Sequence, residues 1–522
     1  MAVTDTTLPE QATGSAADTA SASPGELEAL MGTGDHASLG RMYVGFSLLL
    51  LVVGLAIRLI VGLDLATDSG VLGSYVSMVD VSSLIALVFL GVIPSLVGLA
   101  MVIVPLQVGS PSIAFPRAAA LSLWAWLVSA GIFVTSIALD GGVGGGDYDA
   151  AVLGNISLGV MMASLGLAAV CVATTVLTHR PAGMSLARVP LFAWSMLVAA
   201  SVWIVTFGAA LAYTILGHIS TDSVRGLLEN YQAGLAWLLR GPAIYMIAIP
   251  VLGIAGDAVA HATGRPLRNY GVFQGLIGAF GILSFGAWAM GPGSIDTLVW
   301  VLWALAVALP VLGLLAGLGE SLRHDRPTST AGLVGSLLAL LVLLGGMLIG
   351  AVMALDTAGS GTLFDFEPAA LARAQSLFVI TAAVIGLVAG SAHWSPQIWG
   401  ARSNSATVTG ASLLLAAGGV LLGLTHAVEV FLVANGTDAS TAIGILSTVG
   451  ALGMCIGVLG ALSASMASAR SAYEGGGAGS PDEAGLTLEW QVPWPAVGAE
   501  RTAALPDEFT SPYPFAPLEE DS

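Results

Sequence analysis

Long apolar stretches dominate this chain. Twelve of them, at residues 42–64, 81–106, 118–140, 152–178, 190–217, 233–258, 270–291, 297–320, 332–355, 370–392, 408–433 and 441–466, are each long enough to cross a bilayer as one helix. In hydrocarbon every backbone N–H and C=O must find its partner inside the segment, so such a chain is expected to be an all-α integral membrane protein, a twelve-transmembrane-helix bundle. The connections are short, which implies one bundle and not two joined domains. Only 9% of residues are charged and 56% are hydrophobic, against about 25% charged in soluble proteins, so a water-soluble enzyme is excluded. The two cysteines, Cys171 and Cys455, both lie in apolar runs, which excludes a disulfide scaffold or a cysteine-rich metal or iron–sulfur centre. Glycine and alanine are abundant throughout, as helices packed closely in lipid require.

The basic residues orient the bundle. There is no lysine. The segments after even-numbered spans carry Arg117, Arg180, Arg188, Arg265, Arg268, Arg323, Arg326, Arg402 and Arg470. The loops after odd-numbered spans carry Asp64, Asp68, Asp140, Asp147, Asp149, Asp356 and Asp365, and only Arg225 sits clearly among them. By the excess of arginine on the inner side, both termini are expected in the cytoplasm. The net charge of −18 gathers partly in the tails. The expected layout is therefore an acidic disordered tail over 1–41, a membrane domain over 42–466 and an acidic cytoplasmic tail over 467–522, with no nucleic-acid partner. The polar, acidic N-terminus does not read as a cleaved signal peptide. The glycine runs at 142–146 and 475–477 lack the strand, helix and Lys-Ser/Thr pair of a phosphate loop.

The stretch from Ile93 to Trp124 contains VPLQVG, then AFPR, a run of small residues and Leu121-Ser122-Leu123-Trp124. It resembles subunit I of the heme-copper oxidases, the twelve-helix cytochrome c and quinol oxidases. PAGMSLARVPLFAW, from Pro181 to Trp194, resembles the family's connection between helices four and five. WLLRGPAIY, from Trp237 to Tyr245, with Ile249-Pro250, resembles helix six. Trp394-Ser-Pro-Gln397 resembles the end of helix ten, and Thr487-Leu-Glu-Trp490 the C-terminal tail motif. The resemblance runs in order from about Arg41 to Trp490. It implies heme and copper as cofactors, other subunits of a respiratory membrane complex and lipid as partners, and the plasma membrane of a prokaryote as location.

The implied chemistry needs imidazoles inside the membrane. The seven histidines are His36 in the N-terminal tail, His179, His261 and His324 in loops, His218 and His393 at helix ends, and His426 inside helix eleven. Six of them are expected to stay outside the bundle interior, with no pair or triplet. Aligned with the family residue by residue, the low-spin heme ligand of helix two falls on Ser83, and the His-Pro-Glu-Val-Tyr of helix six becomes Gly241-Pro242-Ala243-Ile244-Tyr245. The paired copper histidines of helix seven fall on Met290 and Gly291, and the His-x-His of helix ten on Ala374-Gln375-Ser376. Proton-pathway positions fall on Ser112, Ala119 and Leu314, and the propionate-binding arginine pair on Asn435-Gly436. No catalytic, cofactor-binding or metal-binding residue and no bound cofactor is therefore expected.

Ionisable groups at membrane depth are the remaining candidates. Arg58 matches an arginine that the family keeps near the low-spin heme; the bland reading is snorkelling to the outer interface. Arg240 and Arg373 stand next to two of the replaced ligand positions. Either they put charge where a metal sat, paired to Asp296, Asp365 or Glu367, or they lie wetted among headgroups. Tyr245 takes the place of the family's cross-linked tyrosine and reads as a buried, satisfied phenol. His426 reads as a core histidine paired to Glu429 one turn on. Leu84, Leu87, Met290 and Leu377 are expected to fill part of the emptied heme space. The tail over 487–495 is expected to dock on a partner subunit, with disorder beyond. The sequence thus reads as a non-catalytic structural or assembly subunit of a respiratory complex. The alternatives are an active heme-copper terminal oxidase that passes electrons to oxygen, and a transporter or channel reusing the empty cavity.

Overall fold

In a computed structural model of the chain, the described residues are 32–67, 72–73, 76–143, 145–219, 234, 237–239, 241–288, 297–358, 368–434, 440–476, 485–491, 509 and 511–516. Among them twelve helices are long and apolar enough to span a membrane, and there is no strand. In chain order they are α1 His36–Thr67, α2 (Val76–Ile85, a π-wound turn Ala86–Val92, and Ile93–Gln107), α3 Pro116–Ala138, α4 Tyr148–Thr178, α5 Leu191–Ile219 and α6 Pro242–Thr263. There follow α7 Tyr270–Ser284, α8 Thr297–His324, α9 Ala331–Ala358, α10 Pro368–His393, α11 Ser405–Ala434 and α12 Ser440–Ser471. α1 packs on α2, each helix from α3 onward packs on the next, α3 also meets α1, and α12 returns against α1.

Three helices have no lipid face. The most apolar windows of α2 and α6 are 100% buried and that of α10 is 94% buried, whereas no other span exceeds 67%. These are the helices to which the resemblance assigns most of the metal ligands, so the candidate residues there sit at the centre of the bundle. Small residues allow the close approach. A Cβ on Gly98 of α2 would lie 2.7 Å from the Gly40 carbonyl and 2.7 Å from Tyr43 Cβ of α1. Gly418 of α11 and Gly450 of α12 face each other in the same way, each Cβ position 2.7 Å from the other's carbonyl. Leu87 and Leu377 are fully in the core, Leu84 packs against it half-buried, and Met290 lies outside the described residues.

Prolines inside the central helices leave carbonyls without their helical donor, and neighbouring helices supply one. Pro105 cannot bond the Met101 carbonyl, which takes the His36 Nδ1–H at 2.8 Å. Pro250 frees the Met246 carbonyl, which takes the Trp203 indole at 2.9 Å. In the π-wound turn, the Ile93 N–H bonds Val88, five residues back, so Pro94 frees Phe89, whose carbonyl takes the Trp126 indole at 3.0 Å. A buried carbonyl left unpaired costs about 1–3 kcal/mol, which makes these three rings fixed parts of the fold. The first bond also corrects the expectation for His36. It is 1% exposed, inside α1, and α1 therefore starts ahead of residue 42. At the other end α12 continues to Ser471.

Candidate functional site

Two buried polar centres lie at opposite ends of the bundle. The first joins α1, α2, α10 and α11 at the end of the bundle where α1 finishes and α2 begins. Arg58 is 3% exposed and ion-paired to Asp80, whose other oxygen accepts from Arg373 Nη2 at 3.2 Å. Arg58 Nη2 also donates to His426 Nε2 at 2.6 Å, and His426 Nδ1 meets Glu429 Oε2 at 2.8 Å. A guanidinium can only donate, so His426 presents its Nε2 lone pair to Arg58 and its proton to Glu429. Both ring nitrogens are thereby engaged. Two arginines, an aspartate and a glutamate leave the group electrically neutral, which is what low-dielectric surroundings demand.

Arg58 therefore does not snorkel; its guanidinium is turned inward to Asp80. Arg373 is partly exposed but has taken Asp80 as partner, while Asp296, Asp365 and Glu367, its expected partners, lie outside the described residues, as does Arg240. Asp80 went unread because it sits one position before the expected start of helix two. The available signal was an acidic residue bordering an apolar run, opposite a buried arginine. Tyr245 is 5% exposed, packs on Trp303 with ring centres 5.5 Å apart, and accepts a hydrogen bond from Gln375 Nε2 at 3.4 Å.

The second centre gathers at the end of the bundle where α1 begins and α12 finishes. Asp257 of α6 caps α5: Oδ1 accepts the Leu191 N–H and Oδ2 the Phe192 N–H, each at 3.1 Å. Gln107 at the end of α2 accepts the Ala193 N–H at 3.0 Å and donates from Nε2 to Asp257 at 2.8 Å and to Glu489 Oε1 at 3.0 Å. Glu489 Oε1 also takes the Trp394 indole at 3.3 Å, and Gln397 Nε2 donates to the Glu489 carbonyl at 3.1 Å. Next to it the ring of Trp490 stacks on His261 at 4.3 Å, and His261 meets His393 edge-on at 5.0 Å. His261 and His393, expected outside the interior and apart, are thus brought together, His261 within α6 and His393 only 8% exposed.

The C-terminal segment docks on its own bundle. Leu488–Gln491 forms a short helix, and further on Phe509 and Tyr513 are also buried, so the disorder expected beyond residue 495 does not hold at those two residues. Arg188 donates to the Phe509 carbonyl, and Tyr513 packs edge-on against Tyr270 at 5.5 Å. Glu489 is completely buried, with Oε2 unpaired. Burial pushes its carboxyl above the usual range, against the pull of the bonds from Gln107 and Trp394. The docked tail then binds a proton more readily than the free tail, and docking weakens as pH rises from the ordinary glutamate range through the raised value. Protection of the tail against protease is expected to fall as pH rises above the ordinary glutamate range, and Glu489→Gln to remove that slope. A slope unchanged in the variant would place the titration elsewhere.

Comparison with known families bears directly on this arrangement. The family model described as cytochrome c and quinol oxidase polypeptide I matches residues 38–428. The chain belongs to that family. Among relatives of this subunit I, the quinol oxidase subunit 1 of Bacillus subtilis is 25% identical over 403 residues, covering 71% of this chain and 61% of the relative. The cytochrome c oxidase subunit 1 of the same organism is 25% identical over 509 residues, covering 89% and 79%. For a subunit I, the second centre has a clear origin. Gln107 comes from VPLQVG, Leu191 to Ala193 from PLFAW, Trp394 and Gln397 from WSPQ, and Glu489 and Trp490 from TLEW. Four of the motifs that carry the resemblance close on one another as a single hydrogen-bonded clasp.

The heme and copper that this family implies call for nitrogen donors at the bundle centre. At the implied positions Ser83 Oγ donates to the Asp80 carbonyl at 2.6 Å and Ser376 Oγ to the Ala372 carbonyl at 2.8 Å. Gly241 and Ala374 carry no donor side chain, and Met290 and Gly291 lie outside the described residues. Among the described residues no group of three or more His, Cys, Asp or Glu is placed to hold a metal ion.

Proposed function

We propose that this subunit I homologue is a non-catalytic structural or assembly component of a respiratory membrane complex, with both termini in the cytoplasm. The observation that carries the reading is the donor set at the centre. Two serine hydroxyls already bonded to their own helices, a glycine and an alanine do not fit heme iron or copper, which take imidazole, thiolate or thioether ligands. The one histidine buried near the low-spin position, His426, has both nitrogens committed to Arg58 and Glu429. The group of Arg58, Asp80, Arg373 and Glu429 supplies its own charge balance and needs no propionate or metal to complete it. The clasp supports the structural half of the reading, since it keeps the scaffold residues of the family in one bonded set. The arginine distribution supports the orientation.

The relatives' names, quinol oxidase and cytochrome c oxidase subunit 1, point to the competing reading of an active oxidase. The two differ in a simple measurement on the purified protein. A reduced-minus-oxidised spectrum is expected to lack heme bands, metal analysis to find no stoichiometric iron or copper, and mild solubilisation to retain other membrane subunits. Stoichiometric heme in the purified chain would overturn the proposal.

A further inference from the structure

A small cavity of about 10 Å³ lies between α1, α10, α11 and α12, against the corner that follows α10. One water needs roughly 10–15 Å³, so the space fits a single water molecule. Much of its wall is apolar, Leu48 and Leu387 included, and an apolar wall alone would leave a cavity dry. Two polar atoms change that balance. Ser391, 7% exposed, has its Oγ buried with no hydrogen-bond partner among the described residues. The indole Nε1 of Trp399 is in the same position, and both residues line the cavity. The other hydroxyls of α10 behave differently. Ser376 Oγ donates to the Ala372 carbonyl at 2.8 Å and Thr381 Oγ1 to the Leu377 carbonyl at 2.7 Å, the usual bond back to the preceding turn. The buried indoles of Trp126, Trp203 and Trp394 likewise each reach an acceptor.

The two orphaned groups stand on different parts of the chain. Ser391 belongs to the last turn of α10, whereas Trp399 ends the short helix Ser395–Trp399 in the corner. That corner is tied down by its own bonds. The Gly400 N–H, in a left-handed turn, bonds the Pro396 carbonyl at 2.9 Å, and the Ser403 N–H bonds Ser395 Oγ at 2.9 Å. An indole N–H can only donate, a hydroxyl donates and accepts, and a water between them serves both. Ser403 and Ser465 also line the cavity, which brings the polar residues around it to four, within the range that a buried water uses. We propose that this cavity is a hydration site, where one buried water accepts from Trp399 Nε1 and bonds Ser391 Oγ, joining the corner to α10. The same corner carries Trp394 and Gln397, two partners of Glu489, so the water steadies the stretch of chain on which the clasp closes. The inference is independent of whether the chain binds heme.

The test uses the full-length protein in a neutral detergent. A density map fine enough to show ordered solvent is expected to place one water within hydrogen-bonding distance, about 2.7–3.2 Å, of both Ser391 Oγ and Trp399 Nε1. Stability supplies a second readout, because the two possibilities differ in sign. With the water in place, Ser391→Ala takes away one of its partners and lowers the thermal midpoint. In a dry cavity the same change only removes a hydroxyl that had no partner, and the midpoint stays level or rises. Trp399→Phe keeps an aromatic ring and is expected to lower the midpoint too. Ser391→Ala combined with Trp399→Phe is expected to lose less than the two single losses added together, since both act on one water. Should Trp399→Phe not fold, the map and Ser391→Ala still decide the matter. A map with no water touching both groups, or a Ser391→Ala midpoint equal to or above that of the unaltered protein, overturns the proposal.

Discussion

Asp80→Ala is expected to destabilise the folded bundle by about 3–5 kcal/mol, the usual cost of removing one partner from a buried ion pair. The size follows from what is left behind. Arg58, 3% exposed, would keep only His426 as an acceptor, and Arg373 would lose the carboxylate that draws it to α2. Two like charges would then be left with Glu429 as the remaining carboxylate of the described group. Reversible unfolding in detergent, followed by helical circular dichroism, measures the loss directly. The double variant Arg58→Met with Asp80→Ala is expected to recover most of it, because the uncompensated charge goes with the arginine. A single variant as stable as the original would mean that water reaches Arg58, and the reading of a closed, self-neutralised group would be wrong.

Asp257→Ala is expected to cost about 2–4 kcal/mol, by a different route. The carboxylate accepts the first two amides of α5 and the amide of Gln107. Removing it leaves three donors without their acceptor at a buried helix start. Gln107 still holds Glu489 and the Ala193 N–H, so the damage should centre on the head of α5, and hydrogen exchange at Leu191 and Phe192 should rise ahead of global unfolding. Asp257→Asn keeps one acceptor oxygen and should lose roughly half as much. Equal exchange rates in Asp257→Ala and the original chain would show that α5 is held by packing alone.

The architecture was readable because its causes are local. Span length and hydropathy place twelve helices, and fixed motifs place the chain in its family. The polar pairings were harder, since each joins residues far apart in sequence. Asp80 meets Arg58 across α1 and α2, and Asp257 meets Glu489 only through Gln107. The prolines were visible in VPLQVG and in Ile249-Pro250, yet nothing near Pro105 in sequence shows that His36 supplies the missing donor. That histidine reads as tail because the residues before it are polar. His261 and His393 likewise stand at separate helix ends and come together only where α6 and α10 converge beneath Trp490. The pairing of His426 with Glu429 was legible, being one turn apart on a single helix, whereas its second bond to Arg58 was not.

The Glu489 clasp has a consequence for how the protein is made. Residues 487–490 leave the ribosome after all twelve of the described spans, so the ends of α2, α5, α6 and α10 must wait, inserted but unlatched, until that segment has been translated. A product truncated before Thr487 would present Gln107, Trp394 and the stacking face of His261 bare at one surface, a mark by which quality-control proteases could tell unfinished copies from complete ones.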